Sequence, residues 1–421
     1  MQPPSSSQVN HLIEHLFRRE SGKMIAVLTR LLGFDSFEVA QDIVQDTLLK
    51  AMVTWSYGRL PDNPSAWLYR VAKNRAIDHL RRERNFQKIG SAYSQQLQQD
   101  LKVDPAINDM FLDNEIQDSQ LRMMFACCHP FIPVESQIAL VLKTLCGLSV
   151  HEIANAFLTT HDAVTKRIYR AKEKIIQQKI QLEVPPANLL NSRLQTVLQS
   201  LYLLFNEGYN SSHPEQLIRE DLCEAAMRLC QILSEQTFTN IPETRAFLSL
   251  MCFQFSRFQS RVDDKGNIVI LKYQDRSLWN RAFIQRGFDY LNAAAEGNHF
   301  SAYHLEAAIA SLHAAAPSFD QTDWKTVYHL YDILYTLKPG PVVALNKAIA
   351  SAYAVSRQAA LDSLTQIQGL ENHYLYYASL GEMYLELNKK EEAKKYFTRA
   401  KALTGSRIEQ SLLQKKITEC N

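Results

Sequence analysis

The chain has 421 residues, a hydrophobic fraction of 46% and a formal net charge of +2. That length suits two to four domains with real cores; near-neutrality removes any whole-chain charge argument for nucleic acid, so local patches must carry it. Seven cysteines, odd in number and scattered, with Cys127 next to Cys128 and no C-x-x-C pair, speak against a disulfide framework or a zinc site and for a reducing cytosol. The start, MQPPSSSQVN, lacks the charged-then-apolar pattern of a signal peptide. No apolar run approaches ~20 residues, so no membrane span is expected. Apolar residues recur at i, i+3, i+4 and no alternating β-rich run occurs, which predicts an all-α chain.

In chain order, residues 8–90 read as a first helical block. Glu38–Met52 predicts a helix with Val39, Ile43, Val44, Thr47, Leu48 and Ala51 near one side and Glu38, Asp42, Gln45 and Asp46 on the other. Taken alone, that acidic face is an ordinary solvated one. Pro61-Asp62-Asn63-Pro64 must be a tight loop, and Ser65 can cap a helix from Ala66 to about Arg82. That helix would bury Trp67, Leu68, Val71, Ala72, Ile77 and Leu80. From Trp67 to Lys88, seven basic residues (Arg70, Lys73, Arg75, Arg81, Arg82, Arg84, Lys88) face two acids (Asp78, Glu83), a local balance of +5. Such a strip tracks phosphates, and Asn74 among the bases can pair a base edge. Catching an unstacked base takes a pocket beside a loop; Gly58–Ser65 with Asn74 is the candidate. Trp67 also reads as a core residue.

Residues 91–120 read as a flexible, acidic linker, carrying Asp100, Asp104, Asp109, Asp113, Glu115 and Asp118 against Lys102 alone. Residues 121–182 form a second block. A helix over Ser136–Cys146 ends at Gly147, a C-cap residue. Ser149-Val150-His151-Glu152 is a capping box opening a short helix that buries Ile153, Ala154 and Phe157. Thr159-Thr160-His161 makes a turn, with Thr160 or His161 as N-cap. The helix DAVTKRIYRAKEKI would then bury Ala163, Val164, Ile168 and Ala171. A short helix, a tight turn and a basic second helix is the geometry that enters a major groove. Asp162, Thr165, Lys166 and Arg170 would read base edges and Lys172 and Lys174 touch phosphates, with Thr160 and Arg167 completing the candidate DNA-binding set. Cys127-Cys128-His129-Pro130 reads as core packing, since adjacent cysteines cannot easily face one tetrahedral ion.

Val184-Pro185-Pro186 stops the second block. Residues 188–298 predict a helical extension domain containing Leu204-Phe205-Asn206-Glu207-Gly208-Tyr209, and residues 299–421 predict repeats. Near the end, Tyr377, Leu380, Gly381, Tyr384, Ala393, Phe397 and Ala400 hold the spacing of a tetratricopeptide repeat. A weaker copy, Ala348, Ala360 and Ile367, lies upstream at a constant offset. No nucleophile–base pairing, phosphate loop or metal spacing occurs over 188–421, so no catalytic residue, metal or cofactor is expected.

Two segments carry a resemblance. DIVQDTLLKAMVTWSYGRLPDNPSAWLYRVAKNRAIDHLRRER resembles region 2 of bacterial sigma-70 family sigma factors of the extracytoplasmic-function (ECF) type. GLSVHEIANAFLTTHDAVTKRIYRAKEKI resembles their region 4. The whole chain is similar to a sub-group with a long helical, tetratricopeptide-containing extension. The resemblance implies that Asp42, Gln45 and Asp46 contact the β′ clamp helices of core RNA polymerase, and that region 4 meets the β flap. It also implies that Asn63, Trp67, Arg70, Lys73, Asn74, Arg81 and Arg82 capture and melt the −10 element, and that the second block reads −35. The expected function is promoter-specific transcription initiation in the bacterial cytoplasm, with the extension regulating activity by holding the two blocks or contacting a protein partner. A helix-turn-helix regulator acting without polymerase, or a repeat scaffold, stands as the alternative.

Overall fold

The computed structural model describes residues 6–57, 60–89, 110–156, 159–211, 218–264, 266–296 and 300–421. It is all-α: eighteen α-helices and an isolated Val262–Ile268 bridge stand among the described residues. Two compact units emerge, one of residues 1–205 with 224–232, the other of residues 206–223 with 233–421.

The first unit opens with α1 (Ser6–Leu32), α2 (Phe37–Tyr57) and α3 (Pro64–Ile89). Their shared core follows the apolar periodicity. Met24, Val27 and Leu28 of α1, Val44, Leu48 and Ala51 of α2, and Leu68, Ala72 and Ala76 of α3 are all buried. Trp55 is fully buried and meets Trp67 edge to face at 5.3 Å. The start of α3 differs from expectation. Asn63, not Ser65, caps it, its side chain accepting from Ala66 N at 3.0 Å, with Pro64 at the first helical position.

Next come α4 (Asp113–Cys127), α5 (Val134–Thr144), α6 (Val150–Ala156) and α7 (His161–Gln177). The expected linker thus loses its last eight positions: Asp113–Gln120 are the first two turns of α4. Its acids suit a helix start, where carboxylates meet the positive end of the backbone dipole. Asp100, Asp104 and Asp109 lie outside the described residues. Cys127 and Cys128 are buried, Cys127 beside Thr144, and burial pushes the Cys127 thiol up to about 12. The capping box forms, with Ser149 N donating to Glu152 at 2.7 Å and Glu152 N to Ser149 Oγ at 3.2 Å. Thr160 caps α7 by accepting from Ala163 N at 3.2 Å. Gly147 takes a φ of 68°, which favours glycine. Val164, Ile168, Ala171 and Ile175 form the buried face of α7; the Phe157 side chain lies outside the described residues.

The two blocks pack as one body. A Cβ built on Gly22 of α1 would lie 2.2 Å from the Leu145 carbonyl oxygen, so only glycine permits this approach. Arg30 reaches Glu115 and Asp118 of α4, each at 2.9 Å. Residues beyond the second block join this unit. In α8 (Ala187–Tyr209), Arg193 donates to the Phe125 carbonyl at 3.5 Å. In α9 (Glu220–Glu235), Arg228 donates to the Arg19 carbonyl at 3.3 Å.

The second unit runs through α10 (Pro242–Phe255), α11 (Arg281–Ala294), α12 (Ala302–Ala315), α13 (Trp324–Leu337), α14 (Pro341–Ala354), α15 (Arg357–Thr365), α16 (Tyr374–Glu386), α17 (Lys390–Leu403) and α18 (Arg407–Glu419). Small residues set the seam of the α16–α17 hairpin: a Cβ on Gly381 would fall 2.7 Å from the Phe397 ring. Ala393, Phe397 and Ala400 share a buried cluster with Leu413 of α18. Ala348 and Ala360 occupy another, with Leu364 and Leu380. Gly208 likewise marks a close approach, to Cys223 Sγ at 2.6 Å from its would-be Cβ.

Candidate nucleic-acid interface

On α2, Asp42, Gln45 and Asp46 are exposed. Their stripe continues along the same face, at helical spacing, into Leu49, Met52 and Val53, which are 59%, 40% and 63% exposed. Three apolar side chains in line with a polar set form a surface fit for a protein partner. Sequence reasoning singled out only the acidic half; the apolar half was visible in the i, i+3, i+4 series. Asp46 also forms an ion pair with Arg75 of α3, which turns Arg75 away from the basic strip.

On α3, Arg70, Asn74, Arg81 and Arg82 are exposed and Lys73 is half-buried. Gly58 and Arg59 and the side chains of Arg84 and Lys88 lie outside the described residues. Trp67 is half-buried against Trp55, so its ring serves the core. The aromatic residue that faces the loop is Tyr69. A cavity of about 370 Å³ opens there, walled by Asn63, Ser65, Ala66, Tyr69, Arg70 and Lys73 on one side and by Phe111, Asp113 and Ile116 on the other. Asn74 is not part of that wall.

Tyr69 is held from behind. Its hydroxyl donates to Glu20 at 2.7 Å, and Ser65 Oγ donates to the same carboxylate at 3.3 Å. Glu20 is only 2% exposed. Burial pushes its carboxyl up, but Lys23, 3.1 Å away, together with the Tyr69 hydroxyl holds it below the usual range. Burial and then the Glu20 charge push the Tyr69 phenol well up, so it stays a neutral donor. Sequence reasoning missed Tyr69 and Glu20: their contact spans 49 positions, beyond any local pattern.

On α7, Asp162, Thr165, Lys166 and Arg170 are exposed near the N-terminal half, beside the Thr160 cap. Thr165 Oγ donates to the His161 carbonyl at 3.0 Å. Tyr169, 61% exposed, lies on this outward face as its helical position predicts. Arg167 is turned toward α5, where it pairs with Glu135 at 2.5 Å. Lys172 is turned toward α2, pairing with Glu38 at 3.1 Å and lying 5.3 Å from the Phe37 ring centroid. Four of the expected readers thus share an exposed face, and two cations are engaged elsewhere. Among the described residues no His, Cys, Asp and Glu group could hold a metal ion, and no helix is long and apolar enough to cross a membrane.

Comparison with known proteins matches two spans of the chain to families. The Sigma-70 region 2 family matches residues 16–86, the span of α1 to α3. A family of unknown function matches residues 193–295. An uncharacterized protein of Rhizobium meliloti is 34% identical over 386 residues, covering 91% of this chain and 90% of that protein. The ECF RNA polymerase sigma-E factor of Haemophilus influenzae is 31% identical over 168 residues, covering 39% of this chain and 86% of the relative. The ECF RNA polymerase sigma factor SigW of Bacillus subtilis is 27% identical over 165 residues, covering 37% and 82%. No solved structure matches the chain.

Proposed function

The chain belongs to the sigma-70 family of RNA polymerase sigma factors, and from that premise we propose that it is an ECF-type factor that docks on core polymerase through α2 and opens the −10 element with α3. Core RNA polymerase and promoter DNA are the partners of such a protein, which carries no catalytic site of its own. The α2 stripe offers acids to basic groups of the clamp helices and buries Leu49, Met52 and Val53 there. The exposed cations of α3 follow the phosphates, and the cavity at Tyr69 receives an unstacked base. Asn63 and Lys73 supply polar groups for its edge. The exposed face of α7, with Asp162, Thr165, Lys166 and Arg170 beside the Thr160 cap, reads duplex DNA at −35 as the second helix of a helix-turn-helix, and region 4 meets the β flap.

The observation that carries the reading is the adjacency on one small body of an acid-then-apolar stripe and a basic helix flanking an aromatic cavity. The extension, with its tetratricopeptide-like hairpins, regulates these surfaces; Arg193 and Arg228, seated in the first unit, are its points of purchase there. Cytoplasmic placement follows from the partner. The test is run-off transcription with the full-length chain and core enzyme, after pull-down of core. A chain that neither retains core nor yields a promoter-specific transcript would refute the reading. A helix-turn-helix regulator working without polymerase would still bind duplex DNA in that experiment and would ignore core.

A further inference from the structure

One side of the Tyr69 cavity is made by residues foreign to α3 and its loop. Phe111 comes from the turn that leads into α4 and Asp113 is the first residue of that helix; both line the cavity with Arg70 and Lys73. The Phe111 ring meets Tyr69 edge to face at 5.9 Å. The Asp113 carboxylate bears on the Tyr69 phenol, opposing its ionisation. A flat apolar ring and an anion two residues apart present to α3 the two chemical features of a nucleotide, a base and a phosphate. A carboxylate among cations that serve phosphates repels an incoming strand, so the two cannot occupy this place together.

We propose that the Met110–Asp113 segment is an internal competitor: in the free chain it covers the strand-binding side of α3 as the far wall of the cavity, and it is displaced when a single-stranded nucleotide stacks on Tyr69. This rests on the cavity being the strand-capture site proposed above. Platform and cover are held very differently. Tyr69 is anchored by Glu20, itself buried and paired with Lys23. Phe111 precedes α4, whose N-cap residue Leu112 makes no side-chain capping bond, and Asp113 is exposed. The firm attachment begins two residues later, where Arg30 grips Glu115 and Asp118 and Ile116 is buried. Release therefore needs only the first half-turn to leave, with the rest of α4 in place.

The experiment is anisotropy of a labelled, mixed-sequence single-stranded DNA of about 12 nucleotides against the full-length chain. Phe111→Ala and Asp113→Asn should each tighten binding, Phe111→Ala by about three- to ten-fold, the worth of one aromatic pair. Lys73→Ala and Arg70→Ala should weaken it. A second readout uses Phe111→Cys: the native cysteines are all buried, so maleimide reports on position 111, and the DNA should speed its modification. Weaker binding by Phe111→Ala would make the ring a contact for the bound strand and overturn the competitor, as would a modification rate that DNA leaves unchanged. If Lys73→Ala and Arg70→Ala leave binding unchanged, the cavity reading itself fails, and the competitor with it. Asp113→Asn, at an exposed position, keeps the test open should Phe111→Ala perturb folding.

Discussion

Lys172 lies 3.1 Å from Glu38 Oε1 and 3.3 Å from Gln41 Oε1, so the second half of α7 is tied to the first turns of α2 across more than a hundred residues of chain. The Glu38 partner is 76% exposed, and exposed pairs contribute no more than about 1 kcal/mol. Glu38→Gln should therefore leave the unfolding midpoint almost unchanged while freeing a cation for duplex DNA. The measurement is the salt dependence of duplex binding. In the Glu38→Gln background, Lys172→Ala should lower the log–log slope by about 0.9, one phosphate contact; an equal effect in both backgrounds would show that the pair does not restrain Lys172.

The α2 stripe makes a sharper prediction. Leu49→Asp or Asp42→Arg should weaken retention by core polymerase at least about tenfold, with circular dichroism and melting temperature unchanged because both side chains are exposed. Asp46→Ala is different in kind: it also releases Arg75 of α3, so it should raise single-strand affinity while lowering core retention. Retained core binding in the Leu49→Asp protein would move the docking surface elsewhere.

In the second unit, Gly381→Ala forces a methyl group against Phe397. Overpacking of this sort costs about 1–3 kcal/mol. Phe397→Ala, which empties the same seam, should cost about 3–5 kcal/mol. Urea unfolding of the two variants checks both; a neutral Gly381→Ala would show that the hairpin can spread without loss.

His313 supplies a pH prediction. It is buried, with Arg257 and Arg276 close by, and burial first and then those charges lower its pKa from 6.5 to about 3. The folded pKa lies below the unfolded one, so this histidine's contribution is complete above pH 6.5 and is lost as pH falls toward 3. At pH 5.5 the loss is about 1.4 kcal/mol. Unfolding free energies at pH 7.5 and 5.5 should therefore converge by about that amount in His313→Leu; an unaltered pH slope would mean that the imidazole is charged in the folded chain.

Much of the architecture was legible because it is local. The 3.6-residue periodicity of α2 and α3, the Ser149–Glu152 box, the Thr160 cap and the Gly381–Phe397 seam are set by residues within a few turns of each other. The misreadings share the opposite property. Ser65 was a reasonable cap until its hydroxyl was claimed by Glu20, 45 positions earlier. Glu115 and Asp118 read as linker acids because Arg30, which pairs with both, lies in another block. Tyr69 was overlooked beside Trp67 because only the fold decides which of two nearby aromatics faces inward.

Gly22 is an impression left in one helix by another. Any heavier residue there would collide with the Leu145 carbonyl, so the contact between the two N-terminal blocks depends on the bare backbone at that point. A protein whose blocks never touched would have no reason to forgo a side chain in the middle of a long helix, where glycine is a poor occupant. The identity of this one position therefore serves as a sequence-level marker for which kindred chains can fold shut in the same way.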